Sequence, residues 1–206
     1  MVEAQPRPIH LPPGEGKAFW LAADLHTFKA VGEDTDGAFT LVEITAAPHS
    51  GPPTHVHHRE DETYYILDGE FEFLDEDRAF TAGVGSCVYL PRGRPHAHKN
   101  AGGTPARALV LTTPAGIEKF IEEAGEPATD PSSPPPPPGP VEFVRIIIIA
   151  RKHGVGLAVL QNRLLRALFL TLSGLLAVAV LVVVYNRLRR STDADFAFRR
   201  WVPWAR

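Results

Sequence analysis

Two stretches decide the fold: GPPTHVHHREDETYYILDG, residues 51–69, and GSCVYLPRGRPHAHKN, residues 85–100. On a β-strand alternate side chains share a face. His55 and His57 therefore point one way and His58 the other. In the run that follows, Glu62, Tyr64 and Ile66 share a face. Two imidazoles and a carboxylate can then converge from neighbouring strands. A third imidazole, His96, follows the turn Pro91-Arg92-Gly93-Arg94-Pro95, with His98 on the same parity. A lone histidine is ordinarily a solvated surface residue. Imidazole and carboxylate together suit one divalent transition metal: Fe, Mn, Ni, Co, Cu or Zn.

Outward from these stretches, residues 17–113 read as short β-like runs broken by turn signals. The runs are His26–Val31, Ala38–Ala46, Thr63–Leu67, Phe71–Leu74, Cys87–Leu90 and Ala106–Thr112. Such regular spacing predicts an all-β barrel or sandwich. Asp36-Gly37 and Asp68-Gly69 are turn signals, and the second, between two aromatic runs, predicts a hairpin. Phe39, Leu41, Phe71, Phe73, Val88 and Leu90 read as core. Glu60, Asp61 and Asp75–Asp77 read as a solvated acidic rim.

Residues 114–125 predict a helix. Ile117, Phe120, Ile121 and Ala124 fall on one face, and Pro114 suits a first turn. Residues 126–140 are a Pro-rich linker with five consecutive prolines at 134–138. Residues 141–163 fit either a helix or a strand, because the run Ile146–Ile149 has no deciding periodicity. Residues 1–17 form an irregular arm, and the β-rich domain occupies 18–125.

The net charge of −3 hides an asymmetry. Residues 1–140 carry 21 Asp/Glu against 10 Lys/Arg, whereas residues 141–206 carry 3 against 11. The acidic part would repel phosphates, so no nucleic-acid partner is expected. Within the basic part, ALFLTLSGLLAVAVLVVVY, residues 167–185, runs for nineteen residues without a charge. At ~1.5 Å per residue this spans roughly the ~30 Å core of a bilayer. Residues 164–186 are therefore expected to form one transmembrane helix, followed by a basic tail at 187–206. No apolar run near the N-terminus has the make-up of a signal peptide. The expectation is a single-pass C-terminal anchor with the folded domain in the cytoplasm. The single cysteine, Cys87, allows no internal disulfide.

The two opening stretches resemble the paired motifs of the cupin superfamily. In the first, Gly51 precedes the His55–His57 pair, Glu62 supplies the acid and Gly69 closes the motif. Gly51 stands closer to the histidines than in the commonest form. In the second, Gly85, Pro91, Gly93, His96 and Asn100 fall at the expected spacings. The resemblance to small, quercetin-dioxygenase-like cupins runs from about residue 18 to 153. It implies a double-stranded β-helix, a jelly-roll barrel, with a short C-terminal helix. It assigns the metal-ligand roles to His55, His57, Glu62 and His96, and a general-base role to Glu62. Tyr64, Ile66 and His98 are the expected substrate-pocket residues. Three histidines and one carboxylate leave up to two coordination positions open, as a catalytic metal requires.

Three function classes follow. One is a dioxygenase acting on a phenolic or enol small molecule. Another is a binding module that holds metal or a small molecule without turnover. The last is a sugar isomerase or epimerase, for which Arg92, Arg94 and Lys99 would supply charge. A homodimer is expected, since a barrel with open sheet edges gains from covering them.

Overall fold

The computed structural model describes residues 7–158, apart from 77 and 137. Two antiparallel sheets face each other. The larger has seven strands: β1 (Ala18–Leu21), β2 (Asp24–Ala30), β3 (Thr40–Ala46), β5 (Asp61–Asp68), β8 (Cys87–Leu90), β10 (Ala106–Thr113) and β11 (Glu126–Pro127). They lie in the order β11-β1-β2-β3-β10-β5-β8. The smaller holds β4 (His55–His57), β6 (Glu70–Asp75), β7 (Arg78–Gly83), β9 (His96–Asn100) and β12 (Val155–Leu157), in the order β12-β4-β9-β6-β7. Helices α1 (Ile117–Ala124) and α2 (Pro140–Lys152) follow the main strands. The architecture is the cupin-like double-stranded β-helix with two helices.

Alternation sets the inner faces. Thr40, Val42, Ile44 and Ala46 of β3 are buried, as are Ala106, Ala108, Val110 and Thr112 of β10. Val42 stands opposite Val110, and Val110 opposite Tyr64. From the smaller sheet, Phe71 and Phe73 enter the same core at 0% exposure. Burying such rings contributes about 2–3 kcal/mol each relative to leaving them in water.

Asn100 ties the two sheets together. Its Nδ2 shares its protons among the carbonyls of Ala46 (3.1 Å), Ala47 (3.1 Å) and Thr104 (2.8 Å), and its Oδ1 accepts from Gly102 N (2.8 Å). The residue is fully buried. Asn100→Ala strands these partners, and the expected cost is about 3 kcal/mol, read by chemical denaturation. A loss below about 1 kcal/mol would mean that the tie contributes little.

Several sequence expectations are corrected. The Asp68-Gly69 turn does not close a hairpin, because β5 and β6 belong to different sheets. A two-residue hairpin of the Asp-Gly kind needs positive φ at both positions, and of the pair only Gly69 (φ 70°) has it. A Cβ at Gly69 would come within 2.7 Å of Ala106 Cβ, so the chain turns a tight corner against β10. The antiparallel partner of β6 is β7.

The first helix begins at Ile117, not at Pro114, because Gly116 holds φ 151° immediately before it. Its predicted face is buried: Ile117, Phe120, Ile121 and Ala124. The ambiguous segment resolves into α2 and then β12. The latter pairs with β4, so the smaller sheet takes an edge strand from beyond residue 125, where the sequence reading closed the domain. No helix among the described residues is long and apolar enough to cross a membrane. The transmembrane helix expected at 164–186 and the basic tail at 187–206 lie outside the described residues.

Candidate metal centre

Strand pairing brings the donors together. His55 on β4 stands directly opposite His96 on β9. His57 lies two residues along β4, on the same face. Glu62 comes from β5 of the opposite sheet, where it pairs with Thr112 and Leu90. One donor atom from each of His55, His57, Glu62 and His96 lies within 4.8 Å of all the others, and all four residues are buried. His96 Nε2 is 3.1 Å from Glu62 Oε2, and His57 Nε2 is 3.6 Å from Glu62 Oε1. His58, just past the end of β4, is exposed.

The ring orientations fit a cation. His55 Nδ1 lies 2.9 Å from the Pro53 carbonyl, and His96 Nδ1 lies 3.0 Å from the Arg94 carbonyl. A carbonyl can only accept, so each Nδ1 carries the proton and each Nε2 presents its lone pair inward. Three imidazole nitrogens and one carboxylate form a set suited to a divalent transition metal.

The electrostatics agree. Burial works against the Glu62 charge, but the neighbouring His57, His96 and His55 rings outweigh it and hold the carboxyl well below the usual range. Glu62 is thus ionised at neutral pH. Burial, with the nearby His96 and His57, pushes His55 well below the ordinary histidine value, so it is neutral and ready to ligate. Burial lowers His57 too, but Glu62 and then Glu60 outweigh it and raise its pKa.

The centre opens onto a cavity of about 770 Å³. One wall is polar: Asp24, His26, Ser50, Tyr64 and His98. The other is apolar, built by Ile117, Phe120 and Ile121 of α1 with Phe143, Ile146 and Ile147 of α2. Tyr64 Oη is 3.1 Å from His98 Nδ1, and burial, with the Glu62 charge, raises the tyrosine pKa well above its usual value. The phenol therefore keeps its proton.

Tyr64 and His98 stand in the cavity wall. Ile66 does not. It shares the inward parity but is 0% exposed within the hydrophobic core. Four residues of strand carry it ~13 Å along from Glu62, past the cavity floor. Glu60, expected in a solvated rim, is 3% exposed and faces His57. Extending the strand parity back from Glu62 would have found it. Asp24 and His26 were not singled out; they share a parity on β2.

Buried histidines give the fold a pH dependence. His26 is half-buried with its open side to the cavity, and burial brings its pKa down to about 4. Burial does the same to His98, also to about 4. A depressed histidine leaves the folded state unprotonated while the unfolded chain takes a proton. Stability is therefore present above pH 6.5 and is lost as pH falls towards 4. Asp24 opposes this: burial raises it to about 6, so its contribution is lost as pH rises through that value. For the metal-free protein, His26→Gln should flatten stability against pH between 4 and 6.5 by up to about 1.4 kcal/mol per pH unit. An unchanged slope in a urea-denaturation series would contradict this.

Residues 42–112 match the family described as "Cupin domain". The matched stretch takes in all four donors, His55, His57, Glu62 and His96. Over 120 residues the chain is 25% identical to quercetin 2,3-dioxygenase of Bacillus subtilis, covering 58% of this chain and 35% of that one. Over 75 residues it is 36% identical to a germin-like protein of Arabidopsis thaliana, covering 34% of each chain. It is 32% identical, again over 75 residues, to an uncharacterized protein of Methanocaldococcus jannaschii, covering 36% of this chain and 60% of that one. The chain thus spans less than two thirds of the length of each of these relatives. Among solved structures, it is similar to the polyketide cyclase of Streptomyces resistomycificus, with 26% identity, TM-score 0.41 and coverage of 48% and 69%. A predicted oxalate decarboxylase of Thermotoga maritima gives 25%, 0.42, and 44% and 79%.

Proposed function

We propose that this cupin is a metal-dependent oxygenase acting on a neutral phenolic or enolic small molecule. The observation that carries the reading is the buried three-histidine, one-glutamate cluster at the floor of a large cavity with one polar and one apolar wall. A divalent transition metal held there by His55, His57, Glu62 and His96 would supply Lewis acidity and a site for O₂ chemistry. Glu62, ionised at neutral pH, is placed to take the proton of a substrate hydroxyl. Tyr64 and His98 supply hydrogen bonds to the substrate's oxygen-bearing edge. The α1 and α2 side chains hold its flat apolar body and exclude water. The similarity to a quercetin 2,3-dioxygenase supports the same class.

The isomerase alternative loses support from side-chain placement. Arg92 pairs with Asp61 at 2.7 Å, and Arg94 with Asp75 at 3.0 Å. Neither lines the cavity, where the one Lys/Arg among the described residues is Arg151. A phosphorylated sugar would find few cations to hold it. The test is oxygen consumption by protein loaded in turn with Fe, Mn, Ni, Co and Cu, against a panel of flavonols and diketones. The expected result is uptake that Glu62→Gln abolishes. Metal binding with no uptake across the panel would favour the binding-module alternative.

The membrane anchor is a separate part of the proposal. Nineteen uncharged residues, 167–185, are long enough to span a bilayer as a helix with its backbone groups satisfied internally. The full chain is expected to stay with membranes through a carbonate wash. A version ending at Ala158, which keeps β12 in its sheet, is expected in the supernatant. A full chain that is monodisperse without detergent would contradict the anchor.

A further inference from the structure

The three histidines of the centre are not held alike. His55 and His96 each turn Nδ1 to a neutral backbone carbonyl. His57 turns Nδ1 to a carboxylate, Glu60 Oε2, at 3.6 Å. Both of these atoms are buried, and neither has a hydrogen-bond partner. Glu60 is 3% exposed, although it lies in a stretch of charged residues that would otherwise be solvated. The chain passes closely over it: a Cβ on Gly116 would lie 3.1 Å from Glu60 Oε1. A buried carboxylate with an unpaired oxygen is costly unless something compensates it. The donor that faces it is the His57 ring, which must carry its proton on Nδ1 if Nε2 is to face Glu62.

We infer that Glu60 is a positioning residue for the metal centre, acting through His57. Resting on the proposed metal site, it fixes the His57 ring with Nε2 aimed at the metal position and makes that nitrogen a stronger donor than those of His55 and His96. The gap of 3.6 Å exceeds hydrogen-bonding distance; a side-chain adjustment of roughly 0.6 Å closes it to a normal N–H···O contact. A carboxylate behind a ligating histidine raises the basicity of the ligand, and its removal typically costs ~10–100-fold in metal affinity. The two carbonyl-held histidines lack that charge, so the centre is asymmetric.

Glu118 provides an internal comparison. It too is buried beside Gly116, with Oε2 accepting from Thr40 Oγ1 (2.5 Å) and Gly116 N (2.8 Å), but it faces none of the four donors. Its role is to brace the start of α1.

The test is Co²⁺ affinity by chelator competition on the full chain, with the visible absorption of the bound cobalt recorded. Glu60→Ala should weaken binding ~10–100-fold, and the near-isosteric Glu60→Gln by a smaller factor. In both variants the cobalt bands should shift, because the His57 donor changes. Glu118→Gln should leave affinity and spectrum as in the parent. Glu60→Gln with parental affinity and an unshifted spectrum would overturn the inference. So would an equal loss in Glu118→Gln, which would assign the effect to any buried carboxylate. Cobalt binding without O₂ uptake on any metal would sink the oxygenase reading and leave this inference standing.

Discussion

His57→Ala is expected to cost this protein most of its bound metal, and His58→Ala almost none. The two residues are neighbours of identical type, yet one is 3% exposed at the centre and the other is at the surface. Removing one of four donors leaves Glu62 with less compensation for a buried charge, so the loss should exceed ~100-fold in affinity and the variant should also be less stable. Binding should weaken with acidity as well. Every ligand must be deprotonated to bind, and the His57 pKa is raised, so protons compete for that ring above the usual histidine value. Affinity should therefore begin to fall above the ordinary histidine value as pH drops. Equal metal content in the two variants, measured by mass spectrometry, would contradict the placement of His57, and not His58, among the donors.

The second large effect is on the core. Phe73 is 0% exposed and touches rings from both sheets: Tyr64 at 5.2 Å between centroids, Phe80 at 5.6 Å, and Phe71 and His98 at 6.3 and 6.4 Å. It sits where the core meets the polar wall of the cavity. Phe73→Ala is expected to destabilise the domain by about 3–5 kcal/mol, because the lost burial is joined by a cavity that rigid β-sheets cannot collapse. Phe73→Leu should cost less than half of that. Denaturant midpoints for the two variants separate the cases, and near-equal losses would mean that ring contacts with Tyr64 and His98 matter more than volume.

How far the fold was legible follows from where its information lies. Strand β8 was readable to the residue, because Cys87–Leu90 alternates between a turn and a proline. The inner faces of β3, β5 and β10 were readable because one side of each is buried. Strand β7 was not, since only Ala82 of its six residues is buried and no alternation shows. The three-residue β12 was invisible, because it is a strand only through its pairing with β4, some hundred positions earlier. The Asp68-Gly69 turn misled for a related reason: local turn chemistry says that the chain bends, not which sheet it bends into.

At the centre, residue types and period-2 spacing were enough to draw attention to His55, His57, Glu62 and His96. Their convergence from opposite sheets was not derivable from spacing, because Glu62 reaches the histidines across the barrel. Ile66 was misplaced, since parity gives a face and not a depth. Glu60 was misread because charged residues in sequence look solvated. What buries it is Gly116, fifty-six positions later, whose missing side chain lets the backbone close over the carboxylate.

X-ray absorption on the purified full chain loaded with one transition metal, alongside its metal stoichiometry, probes the four-donor centre directly. About one metal per chain is expected, with a coordination shell that contains three imidazole nitrogens and a carboxylate oxygen. Protein that retains no metal after removal of excess, or a shell without imidazole scattering, would contradict that centre.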